Sequence, residues 1–380
     1  MKITYLLTIM LLVHSLAFAQ NPDCRASWMP PDAPAFCPWE TEPSLPEART
    51  YLSVVKSDKY VYVLGGLRFD AATSKVIYYD SVVRSTIGGD GHLSAWTAEP
   101  SFKSGRSGAG ATVIGKCLFV SGGSSSTAAS VEYYSDIQYA RIASDGRLSN
   151  WTTSPNRLRT SRSNHSLVAL KTDRGNFLNV VAGVTQIGQD TVHLDTIEVA
   201  SVRDDCSVGE WRVASFHLKG GRSSPQALAV KNNVVVIGGW GDLDLIDVFN
   251  DVQTAAPRSD GSPAPWRTAL GQLTTGIYGH TTVFAELMIS PNTSLLLSTG
   301  GQPGTGAYSN WISYAYVLPG TSIPDAIGQW RIAPIGKLPT GRAGLGSVES
   351  AARLYVIGGS DAGGQYYRDV LSARFDFGRP

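Results

Sequence analysis

The sequence has few of the features that define several common classes of protein. Only four cysteines occur in 380 residues, and no two of them have a CxxC or zinc-ligand spacing. Basic and acidic side chains nearly balance, leaving a net charge of +1, and no basic stripe favours nucleic acid. After the first twenty residues no run approaches the roughly 20 apolar residues that a membrane helix needs. We therefore expect neither nucleic-acid binding nor membrane insertion.

Motifs of the common enzyme classes are also missing. The chain contains no nucleophile elbow, P-loop, dinucleotide fingerprint or HExxH sequence. A Ser-His-Asp set is not excluded by residue types, but no spacing favours one. We predict no cofactor and no metal, and we expect a monomer.

The N-terminus has the three-part pattern of a secretory signal. Lys2 precedes an apolar run, and "AFA" precedes Gln20. We predict a signal peptide over residues 1–19, a Pro-rich segment over 20–36 and one folded domain over 37–380. The mature protein is then expected to be secreted or periplasmic.

An oxidising compartment allows the four cysteines to form two disulfides. Cys24 and Cys37 bracket the Pro-rich "CRASWMPPDAPAFC", where a cross-link would stabilise a segment with few regular contacts, so we predict that they pair. The sequence leaves open whether Cys117 and Cys206 meet.

One phrase recurs along the chain. "GGDGHLSAW" at 88–96 recurs as "ASDGRLSNW" at 143–151, and more degenerate copies precede the later tryptophans. The six tryptophans, 55 to 64 residues apart, are Trp39, Trp96, Trp151, Trp211, Trp266 and Trp330. A repeat of this length corresponds to one supersecondary unit, and we expect all six side chains to fill the core.

Each unit also contains an apolar strand that ends in Gly-Gly, as in "YVYVLGG", "CLFVSGG" and "RLYVIGG". An alternating strand precedes it, and two more follow, which makes a four-stranded antiparallel sheet. A single sheet of this size buries little apolar surface and leaves its edges exposed. Packing the sheets radially into a closed ring removes both problems. The C-terminal unit has three strands and no Trp, whereas "CPWETEPS" supplies one Trp strand. We predict an all-β, six-bladed β-propeller that is closed by pairing of these two ends.

The Gly-Gly doublet, an upstream Arg and the downstream Trp resemble kelch repeats over residues 37–380. The resemblance implies the propeller fold without specifying a function. The third unit departs from it with Ala182-Gly183, and the fifth has Ile277 in place of the Arg.

Five arginines recur once per unit and are predicted to surround one mouth of the central channel: Arg49, Arg106, Arg162, Arg222 and Arg342. They have two possible roles. The first is to bind an anionic ligand through bidentate hydrogen bonds; the second is to form ion pairs between blades with the recurring aspartates Asp80, Asp136, Asp195, Asp251 and Asp369. Aromatic candidates for the same mouth are Tyr79, Tyr134, Trp240, Trp311 and Tyr367.

Two functions fit this pattern. The first is an exported binding module that takes a protein or carbohydrate ligand at the loop face. The second follows from similarity to sialic acid mutarotases, which implies a carboxylate held by the five arginines and a proton moved by a neighbouring side chain. The candidates for that step are Glu132, His165 and His280. His193 lies on a loop of the same predicted face, but three histidines in a repeat are more typical of structural positions than of a metal site.

Overall fold

The computed structural model describes residues 24–127, 130–241, 248–286, 294–304, 306–319 and 323–377. The predicted signal peptide therefore lies outside the described residues. Within these ranges, β-strands account for nearly all regular structure. The first two are β1 (Ala35–Phe36) and β2 (Glu40–Glu42).

Three four-stranded antiparallel sheets follow, each with a two-stranded hairpin between its second and third strands. Blade 1 contains β3 (Ser53–Ser57), β4 (Tyr60–Leu64), the hairpin β5 (Leu67–Asp70) and β6 (Lys75–Tyr78), β7 (Val82–Thr86) and β8 (Thr97–Glu99). Blade 2 contains β9 (Gly110–Ile114), β10 (Cys117–Ser121), the hairpin β11 (Ser124–Ser126) and β12 (Val131–Tyr133), β13 (Ile137–Arg141) and β14 (Thr152–Thr153). Blade 3 contains β15 (Ser166–Thr172), β16 (Gly175–Val181), the hairpin β17 (Val184–Ile187) and β18 (Asp190–His193), β19 (Ile197–Val202) and β20 (Arg212–Val213).

The second half repeats the four-stranded plan with shorter additions. Blade 4 contains β21 (Gln226–Val230), β22 (Asn233–Ile237), β23 (Val252–Ala255) and β24 (Arg267–Thr268). Blade 5 contains β25 (Ile277–Tyr278), β26 (Thr281–Glu286), β27 (Ser294–Thr299), β28 (Gln302–Pro303), β29 (Ile312–Val317), the helix α1 (Ile323–Ala326) and β30 (Arg331–Ile332). Blade 6 contains β31 (Gly346–Ser350), β32 (Arg353–Ile357) and β33 (Val370–Asp376), and its fourth strand is β2.

The two ends of the chain close the ring as predicted. Thr41 of β2 lies opposite Leu371 of β33 in antiparallel register. The first strands of all six blades contact one another in turn, and β31 contacts β3. The sequence therefore forms the predicted six-bladed β-propeller. Beyond the predicted closing strand, β1 also pairs with β33, with Ala35 opposite Asp376.

The apolar core is divided into six clusters, one between each pair of neighbouring blades. The second strand of each blade lies between two others, and every residue of β4, β10 and β32 is buried. Two of the six tryptophans, Trp211 and Trp330, are fully buried. The other four pack partly buried against the clusters: Trp39, Trp96, Trp151 and Trp266. All six thus contribute to the packing between blades.

The recurring Asp-Gly phrase fastens one blade to the next. Tyr62 Oη of blade 1 donates a 2.6 Å hydrogen bond to the Gly146 carbonyl in the turn of blade 2. Trp151, which ends that phrase, donates from Nε1 to the Pro100 carbonyl of blade 1 at 2.7 Å. Gly146 has φ of 81°, and a Cβ there would lie 2.5 Å from the Tyr60 ring. The phrase therefore needs glycine for both conformation and close approach.

Both cysteine pairs form disulfides. Cys24 is bonded to Cys37, as predicted, and Cys117 is bonded to Cys206. The second bond joins β10 of blade 2 to the turn before Trp211 in blade 3, so it links neighbouring blades. In the ranges described, no helix is long and apolar enough to cross a membrane.

Candidate functional site

The five recurring arginines lie directly before the first strands of their blades, and each is at most 1% exposed. An aromatic ring covers four of the guanidinium groups at 3.8 to 4.3 Å from the ring centre. The covering pairs are Arg49 with Tyr79, Arg106 with Tyr134, Arg222 with Phe249, and Arg342 with Tyr367. Three of the predicted aromatic candidates thus contact arginines, and a role for them in ligand binding remains a prediction.

Three of the expected aspartates are the partners of these arginines. Arg106 Nη1 lies 2.6 Å from Asp136, Arg222 Nη1 lies 2.6 Å from Asp251, and Arg342 Nη1 lies 2.7 Å from Asp369. Each pair joins the start of the first strand to the start of the third strand of one blade. The expectation of ion pairs between blades is therefore wrong, because the recurring pairs hold single blades together.

Asp80 and Asp195 are not partners of the recurring arginines. Asp80 is exposed, and Asp195 lies 3.5 Å from His217 instead. Both stand one residue before the position that faces the guanidinium. Arg162 is paired with Glu198 of β19 at 2.5 Å, with both side chains fully buried. Glu198 was not predicted from the sequence because it lies two residues beyond that position, inside a strand.

Backbone hydrogen bonds identify the equivalent position in all six blades. The amide that ends each second strand donates to a carbonyl at 3.1 to 3.3 Å. The accepting residues are Ser81, Asp136, Thr196, Asp251, Trp311 and Asp369. Blade 5 has Ile277 for the Arg and Trp311 for the Asp, so it lacks both charges. Blade 1 keeps Arg49 but has Ser81, whose Oγ accepts from Arg49 Nη2 at 3.2 Å.

A closed ring of six backbone hydrogen bonds surrounds the channel mouth. Each member lies two residues after the Arg position, and each amide donates to the carbonyl of the preceding blade's member at 2.7 to 3.2 Å. The members are Tyr51, Gly108, Asn164, Ser224, Gly279 and Gly344, all with φ between 49° and 62°. Glycine and asparagine favour this left-handed region. Their recurrence two residues after the Arg position is therefore a signal in the sequence for the ring.

Aromatic side chains gather around this backbone ring. The Trp240 ring centre lies 5.8 Å from that of Tyr278 and 4.9 Å from that of His193. Burial, together with smaller contributions from the neighbouring phenols of Tyr308, Tyr278 and Tyr366, raises the pKa of Tyr51 to about 12. We call the set Tyr51, Trp240, Tyr278, Tyr308 and Tyr366 the aromatic funnel; all five are half-buried. Of these, Trp240 is among the ligand-binding candidates predicted from the sequence.

Uncharged groups line a cavity within the channel. A cavity of about 360 Å³ lies among the first strands and is bounded by residues such as Ser53, Thr112, Ser166, Gln226 and Ser347. His165, which also borders it, is buried and neutral at physiological pH. Among the described residues, the wall of this cavity therefore presents no Asp, Glu, Lys or Arg side chain.

The candidate proton carriers do not meet in one site. His165 and His280 are buried in the wall, and burial lowers the pKa of each to about 3. His165 Nε2 lies 2.8 Å from Ser121 Oγ, whereas neither His280 nitrogen has a hydrogen-bond partner among the described residues. Glu132 is exposed on the hairpin of blade 2. Among the described side chains, no group of three or more His, Cys, Asp or Glu is arranged to hold a metal.

Comparisons with known proteins support the architecture alone. No protein-family model matches the chain, and no curated protein matches it in sequence. A solved structure described as that of YjhT is similar with a TM-score of 0.62 and 15% identity, covering 88% of this chain and 99% of that one. At this identity the similarity shows a shared propeller fold.

Proposed function

We propose that this chain is an exported propeller of the kelch-repeat type that binds a carbohydrate at the aromatic funnel. The observation that carries the proposal is the distribution of side chains at the mouth. The recurring arginines are buried and bonded within the blades, whereas the half-buried groups around the backbone ring are tyrosines and a tryptophan.

Aromatic faces of this kind suit a sugar. A pyranose presents a face of C–H groups that packs on an aromatic ring, and tyrosine hydroxyls hydrogen-bond to the sugar hydroxyls around it. The pair of Trp240 and Tyr278 offers two adjoining rings. Tyr and Trp are also common at protein interfaces, so a protein ligand is the competing outcome that the experiment below distinguishes.

A mutarotase acting on an acidic sugar is the alternative function, and the site geometry favours it less. That reaction needs a proton carrier in contact with the substrate and with a pKa near the working pH. The pKa values of His165 and His280 are lowered to about 3, and the unbonded nitrogens of both are buried. The likeness to YjhT supports the fold that both functions would use.

Export is part of the proposal. Two disulfides are typical of proteins that mature in an oxidising compartment, and the signal-like pattern at 1–19 agrees with this. We propose a secreted or periplasmic location.

The proposal is tested by a thermal-shift screen of the mature protein against neutral and acidic sugars. A ligand that binds the folded state raises the Tm by mass action. We expect a sugar to raise the Tm of the wild type but not that of the Trp240→Ala, Tyr278→Ala double variant. If no sugar raises the Tm and a protein partner is recovered in a pull-down, a protein ligand is favoured. If the wild type catalyses anomer exchange, the mutarotase is favoured.

A further inference from the structure

Turns between the first and second strands form the face of the propeller opposite to the channel mouth. Each first strand begins beside the recurring Arg position at the mouth, so the turn that follows it lies at the other end of the channel. In blade 1 this turn joins Ser57 to Tyr60, which lie opposite each other in antiparallel register. The turns of blades 3 and 4 are bonded to each other, because Asn232 Nδ2 donates to the Lys171 carbonyl at 2.7 Å. These turns therefore surround the far end of the channel.

Exposed cations are concentrated in four successive turns of this face. Blades 1 and 3 contribute two each and blades 2 and 4 one each; the six residues, here called the basic arc, are Lys56, Lys59, Lys116, Lys171, Arg174 and Lys231. The same four turns contain two carboxylates, Asp58 and Asp173, so six positive and two negative charges leave a net charge of +4. Blades 5 and 6 have glutamates, Glu286 and Glu349, near the ends of their first strands, which limits the arc to blades 1–4.

No cation of the basic arc forms an ion pair with a carboxylate that the structure describes. Arginines beside the neighbouring Asp-Gly turns differ in this respect. Arg147 Nε lies 3.6 Å from Asp145, and both belong to the turn of blade 2. Arg212 Nη2 lies 3.2 Å from Asp260. The positive charge of the arc is therefore not neutralised by bonded carboxylates, as that of the surrounding turns is.

A polymer fits the basic arc better than a small anion does. Packed sheets lie about 10 Å apart, so cations on four neighbouring blades are spread over more space than one inorganic ion or one monosaccharide occupies. Five of the six cations are lysines, whose ammonium groups are compact point charges that accept varied anion geometry. Each exposed contact is weak alone in water, so strong binding requires a chain of anions that engages several cations at once.

The surroundings of the arc favour a polysaccharide over a membrane or a nucleic acid. None of the exposed large apolar side chains in the described ranges lies in these turns, whereas stable membrane attachment combines a basic patch with an apolar anchor. The proposed export of the chain separates it from the nucleic acids of the cell. We propose that the basic arc binds an anionic polysaccharide through sulfate or phosphate groups along its chain. This surface is separate from the aromatic funnel, so either proposal can fail without the other.

Dextran, dextran sulfate and dextran phosphate are the probes, because they share one uncharged backbone. We expect the mature protein to bind at least one of the two charged polymers and not dextran, and the tighter of the two identifies the anionic group. Binding should weaken about tenfold or more between about 50 and 200 mM salt, since it depends on displaced counterions. Dextran bound as tightly as its charged derivatives would overturn the proposal, and so would an absence of binding to both derivatives.

Matched triple variants locate the binding on the molecule. The arc variant replaces one lysine in each of blades 2, 3 and 4: Lys116→Gln, Lys171→Gln and Lys231→Gln. The control replaces three exposed lysines of the mouth face: Lys75→Gln, Lys103→Gln and Lys219→Gln. All six side chains are exposed, so both variants should keep the wild-type Tm. We expect the arc variant to lose about tenfold or more in affinity for the charged dextran, and the control to bind like the wild type. Equal losses in the two variants, or no loss in the arc variant, would overturn the assignment to this face.

Anionic lipid vesicles and duplex DNA complete the experiment. We expect both to bind the wild type more weakly than the charged dextrans do. Tighter binding of either one that is lost in the arc variant would assign the arc to a membrane or a nucleic acid and overturn the polysaccharide.

Discussion

Arg106 and Asp136 form a buried ion pair with two contacts, at 2.6 and 3.2 Å, between the beginnings of the first and third strands of blade 2. Gln138 Nε2 donates to the same carboxylate at 2.8 Å and to the Lys103 carbonyl at 3.0 Å, and Gln138 Oε1 accepts from the Lys103 amide at 2.8 Å. Because the carboxylate neutralises a guanidinium that is 1% exposed, the pair maintains the geometry of the channel mouth.

Removing the carboxylate at this position should strongly destabilise the fold. Removing the aspartate that stands one residue before the equivalent position in blade 1 should have little effect on stability. Asp136→Ala leaves Arg106 charged and buried, so we expect it to lower the free energy of unfolding by about 3–5 kcal/mol. Asp80→Ala removes an exposed side chain and should cost less than about 0.5 kcal/mol. Urea denaturation of both variants tests this, and equal losses would contradict the register assigned to blade 1.

The two buried histidines should make stability depend on pH. Their pKa is about 3 when folded and 6.5 when unfolded, so the unfolded chain binds more protons in this window. Stability is then fully present above 6.5 and falls as the pH drops towards 3. Each histidine should account for about 2 kcal/mol of lost stability at pH 5.

His280→Leu tests this directly. Leu345 holds the equivalent position of blade 6 and packs against Gly300 as His280 packs against Gly238. Since neither His280 nitrogen is hydrogen-bonded to any residue that the structure describes, we expect the variant to be about 1–3 kcal/mol more stable at pH 7 and less sensitive to acid. His217→Leu, at an exposed histidine, serves as the control. A pH profile for His280→Leu that matches the wild type would contradict the assignment.

The disulfide between blades should matter more than the one at the N-terminus. Cys117–Cys206 closes a separation of 89 residues and Cys24–Cys37 closes one of 13. Chain-entropy arguments predict losses of about 4–5 and about 3 kcal/mol on removal. Denaturation of the two double Cys→Ser variants measures which loss in free energy of unfolding is larger. A larger loss for the Cys24 and Cys37 variant would show that the N-terminal segment contributes more than its loop length predicts.

Replacing the glycine of the repeated turn should destabilise the protein more than replacing a glycine in an open turn. Gly146 and Gly115 both have positive φ, of 81° and 56°, so alanine costs about 1 kcal/mol at either site. A Cβ at Gly146 would also collide with the Tyr60 ring, whereas nothing lies within 4 Å at Gly115. Gly146→Ala should therefore lower the Tm well below that of Gly115→Ala, and equal Tm values would contradict the close packing.

The fold was predictable from the sequence because its strongest signals are local and repeated. The Gly-Gly doublets mark the ends of second strands, and the tryptophans mark the closing turns, so blade number and ring closure followed from counting. The partners of the arginines were less predictable. A shift of one residue reverses the direction of a side chain in an extended segment, which is why Asp80 and Asp195 were assigned wrongly.

The candidate site was predictable only in outline. Its face and the presence of Trp240 followed from the repeat, but the burial of the arginines depends on packing that residue types do not report. Tyr51 was missed because its role arises from a left-handed backbone shared with Gly108 and Asn164. Gly and Asn at the equivalent positions of four other blades are a local signal for that conformation, but Tyr51 itself carries none.

The central claim is that the aromatic funnel binds a sugar, and calorimetric titration of a sugar that raises the Tm tests it most directly. We expect Trp240→Ala and Tyr278→Ala each to weaken the affinity about tenfold or more, which corresponds to about 1.4 kcal/mol or more of lost stacking. Trp28→Ala, at an exposed tryptophan of the N-terminal segment, should bind like the wild type. Affinity unchanged in both funnel variants would contradict the account.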